Sequence, residues 1–183
     1  MRKTAQRNLR LTAALLGCAA ALSSCATPPD GPTRKPSSAP PVTAAPASLS
    51  ESTTKYDALT KEIVAALEAR MPGITWAPDD PSSVVNSKDG TCIFLPQSMK
   101  SSADIVAPSK NFEAVFDAAD PILEKHGFPA FGGTDPVPGG WVVARSTDGT
   151  GATITVESKS PAFLRMTVPV TAESCETTAT PTG

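Results

Sequence analysis

Residues 141–170 read WVVARSTDGTGATITVESKSPAFLRMTVPV, and three strands are legible in them. Trp141–Ser146, Ala152–Ser158 and Phe163–Val170 are rich in β-branched and apolar residues that suit a pleated surface. Asp148-Gly149 turns the first strand into the second, and Ser160-Pro161 separates the second from the third. Immediately upstream, Ser109–His126 places Phe112, Val115, Phe116, Ala119, Ile122 and Leu123 at alternating spacings of 3 and 4, one face of a helix. Pro121 interrupts that pattern. Proline inside a helix costs about 3 kcal/mol or more, so a kink is expected there, or a break at which Asp120 caps a new turn. Gly127 is placed to end the helix as its C′ residue.

Further upstream, Ser50 or Ser52 can cap a helix running to about Arg70, with Tyr56, Leu59, Ile63, Ala66 and Leu67 on its apolar face. Pro72-Gly73 stops it. Ile74-Thr75-Trp76 reads as a short strand and Ala77–Ser83 as a loop. Val84-Val85 and Thr91–Leu95 form a hairpin around Asn86–Gly90, with Gly90 where positive φ is needed. The predicted order is α-β-β-β-α-β-β-β, with an edge strand near Phe128–Phe131. Successive hairpins with segregated helices imply an α+β two-layer sandwich, an antiparallel sheet with two helices packed on one face. One such domain fills residues 51–176, and 177–183 form a disordered polar tail.

The whole chain has 183 residues, a net charge of −2, one His, four Cys and 19 Pro. That length is too short for a TIM barrel of about 250 residues. A single His and a weak acidic balance argue against a His-rich metal enzyme and against nucleic acid as a partner. At 5% aromatic residues no stacking platform for bases or sugars is evident.

The N-terminus carries an address. Arg2, Lys3, Arg7 and Arg10 precede a short apolar run, Leu11–Leu22, as in an export signal rather than a membrane span. Leu22-Ser23-Ser24-Cys25 then resembles a bacterial lipobox, which implies cleavage after residue 24 and acylation of the Cys25 thiol. Leu15-Leu16-Gly17-Cys18 fits the same pattern, but cleavage there would leave an apolar core at the short limit of signal peptides. Residues 1–24 are therefore read as signal peptide, and two or more acyl chains on Cys25 as a durable anchor. Residues 25–50, with seven Pro from 26 onward and few large apolar groups, form a Pro/Ala/Ser-rich tether that favours extended polyproline II. The mature side chains carry 12 basic and 18 acidic groups, so the lipid must hold the protein against an anionic membrane.

Cys92 and Cys175 remain. Export reaches an oxidising compartment, and two leftover thiols allow one intramolecular disulfide. A reactive or metal-binding thiol pair is the alternative, weakened by the missing C-x-x-C.

The helix from Tyr56, Pro72-Gly73-Ile74-Thr75-Trp76, Cys92, the helix ending His126-Gly127-Phe128, Asp148-Gly149 and Cys175 together resemble the LppA-like lipoproteins of mycobacteria and other actinobacteria. The chain departs from them in a longer Pro-rich spacer and in Phe112 where a Trp would be sought. The resemblance implies a disulfide-closed α+β domain on the cell envelope and implies no reaction.

Chemistry has few carriers. His126, at a helix end, is expected to bond the last carbonyls or face solvent. Asp79-Asp80, Asp104, Asp135 and Asp148 lack the spacing of a Ca²⁺ loop and read as solvated turn residues. No Walker A, Rossmann or G-x-S-x-G motif is present. Gly127–Gly140 is a long Gly/Pro-rich stretch: a candidate binding loop with Phe128, Phe131 and the following Trp141, or a connection with one Phe tucked into the core. The expected function is a membrane-anchored, extracytoplasmic binding module that is not an enzyme and needs no metal or cofactor. Its partner would be an envelope protein or a cell-wall ligand. A cell-wall hydrolase, or a purely structural envelope protein, is the alternative.

Overall fold

A computed structural model describes residues 42–172 and Cys175. The readings of a signal peptide, of Cys25 and most of the tether, and of the 177–183 tail lie outside the described residues. Helix α1 (Leu49–Arg70) starts at Ser48, not at Ser50 or Ser52. The reason is a capping box: Ser48 Oγ accepts from Glu51 N–H, and the Glu51 carboxylate accepts from Ser48 N–H. The chain already holds the domain before residue 51. Gly149 O accepts from Thr43 and Ala44 N–H, and Thr171 N–H donates to Ala47 O.

The strands are β1 (Trp76–Pro78), β2 (Ser83–Asn86), β3 (Cys92–Leu95), β4 (Met99–Ser101), β5 (Thr134–Val137), β6 (Trp141–Thr147), β7 (Thr153–Ser158) and β8 (Ala162–Val170), with helix α2 (Glu113–Lys125) between β4 and β5. Every pairing among them is antiparallel. The expected order lacked β4, and the added edge is β5 rather than Phe128–Phe131. Strand β8 organises the sheet. One side pairs with β7, while the other takes β4 near Phe163 and β3 near Val168, so that β1 and β2 follow outside them. The 92–95 and 83–86 hairpin matches the expectation.

The core lies between the sheet and both helices. Tyr56, Leu59, Ile63 and Leu67 of α1 and Val115, Phe116, Ala119 and Leu123 of α2 bury against Ile154, Val156, Leu164, Met166 and Val168. This is the expected two-layer α+β sandwich. Helix α2 departs from expectation twice. It begins at Glu113 because Lys110, Asn111 and Phe112 all have positive φ, a conformation that costs L-residues about 1–2 kcal/mol each. Complete burial of the Phe112 ring and a bond from Phe112 N–H to Ser109 Oγ offset that cost. The helix also continues through Pro121, which overturns the expected break there. Asp120 caps no new turn; its carboxylate accepts from Phe131 N–H at 2.8 Å. Gly127, at φ 85°, closes α2 as expected, with Phe128 N–H on Leu123 O and Gly127 N–H on Glu124 O.

Both outer edges of the six-strand path carry proline. In β1 the outward N–H of Trp76 is taken by Glu68 Oε1 at 2.8 Å, and Pro78 has no N–H to offer. Strand β5 carries Pro136. These features blunt edges that would otherwise recruit another strand.

Candidate functional site

A groove of about 540 Å³ runs beside α1. One wall is the helix stripe Asp57, Thr60, Lys61, Val64 and Glu68, at spacings of 3, 1, 3 and 4 on a side away from the buried face. The facing wall is Pro81 and Ser82, after β1, with Gln97 and Met99. Ser98 fixes the approach of those two loops: its N–H donates to Asp80 O, and its Oγ accepts from Asp80 N–H at 2.9 Å. Glu68 is committed to the Trp76 N–H. Among the described residues Asp57 and Lys61 make no ion pair, so both heads are available to a ligand. The volume lies within the usual range of ligand pockets, about 300–1,000 Å³. Sequence reading missed these residues because half the groove comes from loops around residues 81 and 97, distant in sequence from α1.

A smaller hollow of about 310 Å³ lies over the start of α1, lined by Glu51, Lys55, Tyr56, Thr150 and Pro169. Beneath it Asp148 is no solvated turn residue but a buried one. Its Oδ1 accepts from Thr150 N–H at 2.8 Å, Thr150 Oγ1 at 2.7 Å and Ala152 N–H at 3.0 Å. Its Oδ2 lies 3.5 Å from the Tyr56 hydroxyl and 3.7 Å from Lys55 Nζ. Burial first, then the Asp148 charge, pushes the Tyr56 phenol well above its ordinary range. These bonds shape the β6–β7 turn that receives Thr43 and Ala44.

The other expected site residues scatter. Phe128 and Phe131 are both buried: Phe128 meets Tyr56 edge-on at 6.3 Å, and Phe131 packs 5.9 Å from Phe116. Neither ring offers a face to a ligand, and the stretch after them holds β5 rather than a free loop. Trp141 is half-buried, 6.0 Å from Phe163. His126 neither bonds the last carbonyls through its ring nor faces open solvent. Its Nε2 lies 3.3 Å from Glu62 Oε2, outside good hydrogen-bond geometry, and Lys125 and then His126 hold the Glu62 carboxyl below its usual range. Cys92 and Cys175 form a disulfide with Cα atoms 5.0 Å apart. Cys92 faces Val170 in the β3–β8 ladder, which brings the segment just past β8 onto the sheet.

The chain is similar in fold to LppA. That protein, from Mycobacterium tuberculosis and named as a lipoprotein, matches with a TM-score of 0.53 and 17% identity, over 67% of this chain and 76% of that one. No family model and no curated protein matches the chain. Among the described residues no helix is long and apolar enough to cross a membrane.

Proposed function

We propose that this protein is a cell-envelope lipoprotein, anchored by acyl chains on Cys25 at the extracytoplasmic face of the membrane. Its α+β domain acts by binding, without catalysis, through the groove along α1. The lipobox-like Leu22–Cys25 and the fold shared with a protein named as a lipoprotein support the anchor. The groove itself carries the rest: a cleft of ligand size whose wall holds Asp57 and Lys61, one helical turn apart and without an ion pair among the described residues. A hydrolase reading is less well supported by the same cleft. Its acids Asp57 and Glu68 are eleven residues apart on one helix, about 16 Å at 1.5 Å per residue. Paired catalytic carboxylates stand about 5–10 Å apart. The sole imidazole, His126, lies beside Glu62 and is not among the residues that line the groove.

Fractionation tests the anchor, and cell-wall digestion tests the absence of catalysis. Wild-type protein should partition into membranes, with acyl mass on an N-terminal Cys25, while Cys25→Ala should appear as soluble or uncleaved chain. Acylated protein persisting in the Cys25→Ala strain would move the anchor to Cys18. Release of reducing sugar from purified walls, abolished by Asp57→Asn or Glu68→Gln, would replace the binding reading with a hydrolase.

A further inference from the structure

We propose that the helix-free face of the sheet is a second binding surface, for an uncharged polysaccharide chain, centred on Trp141, Phe163, Arg145 and Arg165. It is independent of the α1 groove. The burial of β8 alternates, with Leu164, Met166 and Val168 toward the helices and Phe163, Arg165 and Thr167 on the other side. Register then lines up rows across the strands on that open side. Lys100, Phe163, Glu157, Val143 and Asp135 form one row, Arg165, Thr155 and Arg145 the next.

Ring surface and polar groups meet in these rows. Trp141 and Phe163 lie 6.0 Å apart, and the Arg165 guanidinium stacks 4.3 Å over the Phe163 ring while pairing with Glu157. Lys100 Nζ lies 5.7 Å from the same ring and 4.0 Å from Asp79. Arg145 is exposed and has no partner among the described residues. A pyranose ring presents a flat C–H face that packs on aromatic carbon and a rim of hydroxyls that both donate and accept. Pinned Arg–Glu and Lys–Asp pairs supply both functions at fixed positions. Within a row, side chains on neighbouring strands stand about 4.8 Å apart, close to the length of one sugar unit, so successive sugars along a row meet successive strands.

Charge selects among partner classes. Residues 42–172 hold ten Lys and Arg against fifteen Asp and Glu. Three of each, Lys100, Arg145 and Arg165 with Asp79, Asp135 and Glu157, belong to this face, so the acidic excess lies elsewhere on the domain. An acidic polymer or an anionic bilayer gains no net attraction at a balanced face and is repelled by the rest of the domain. An uncharged, hydroxylated chain is what the face complements. Position agrees: the described chain begins at Val42, whose side chain flanks Gly151 with that of Pro169, six residues along β8 from Phe163. That is about 20 Å of strand, which sets the platform at the end of the sheet away from Val42.

Calorimetric titration of the full chain in detergent tests this, with cellohexaose, mannohexaose, maltohexaose, polygalacturonate and phosphatidylglycerol vesicles as probes. At least one uncharged hexasaccharide should bind saturably. Trp141→Ala and Arg145→Gln should each weaken it about tenfold, the scale of losing one stacked or charge-assisted contact, with Lys88→Gln, exposed in the β2–β3 turn, without effect. Should Trp141→Ala fail to fold, Arg145→Gln decides, because its side chain is exposed and unpartnered. No binding of any uncharged probe at millimolar concentration, tighter binding of polygalacturonate or vesicles, or unchanged affinity in Arg145→Gln would overturn the proposal.

Discussion

Asp148 shows how one side chain can hold two parts of a fold. At a turn position it would ordinarily face water, yet here three donors from residues 150 and 152 and the Tyr56 hydroxyl surround it. Burial first, and then this carboxylate, make ionisation of Tyr56 unfavourable in the folded protein. A phenol whose folded pKa is raised leaves stability intact below its unfolded value near 10 and erodes it as pH rises beyond that value, because the unfolded chain then loses the proton first. Urea titrations between pH 8 and 11 should therefore show a steeper alkaline fall for wild type than for Tyr56→Phe. Parallel curves for the two proteins would remove Tyr56 from that account.

At the scale of the element, α2 carries a cost that its neighbours do not require. Pro121 is exposed and withholds the N–H that would reach the Asp117 carbonyl, yet the helix stays continuous because Val115, Phe116, Ala119 and Leu123 are locked into the core on both sides of it. Pro121→Ala should raise stability by about 1 kcal/mol or more, since it restores that bond and forfeits no packing. Chemical denaturation would measure it, and a destabilised variant would mean that the ring's restraint of the unfolded chain outweighs the missing bond. The sequence pattern exposed this helix face clearly. It could not expose the late start at Glu113, because the left-handed backbone at Lys110–Phe112 is repaid by burial of a single ring.

For the whole molecule, the Cys92–Cys175 link closes a separation of 83 residues. On the chain-entropy model such a loop contributes about 4.5 kcal/mol. The paired substitution Cys92→Ser with Cys175→Ser should lower unfolding free energy by a few kcal/mol, read from urea midpoints, and unreduced protein should yield one crosslinked peptide without free thiol. Equal midpoints for the variant and the parent would show that the sheet holds its C-terminal end without the bond. The disulfide also helps explain how so modest a core stands on strands as short as three and four residues, whose ladders alone hold the sheet only weakly.

Local pattern was sufficient wherever one element carried its own signal. The alternation of β8, the 3 and 4 spacings of both helices, Gly127 as a helix stop and the pairing of the last two thiols could all be read directly, because each depends on neighbours in sequence or on simple counting. The Ser48 cap was missed in favour of Ser50 or Ser52, although Ser-Leu-Ser-Glu has the spacing of a capping box. What needed the tertiary structure were the surfaces. Phe128 and Phe131, conspicuous in a Gly/Pro-rich stretch, turned inward once β5 and β6 paired beside them. Trp141, a candidate binding residue by sequence, and Phe163, 22 positions on and not singled out, became neighbours. The α1 groove likewise joins residues around 60, 81 and 97. Periodicity reports which side of an element is apolar, but a site is a relation between elements, and only long-range pairing and packing bring its parts within reach of one ligand.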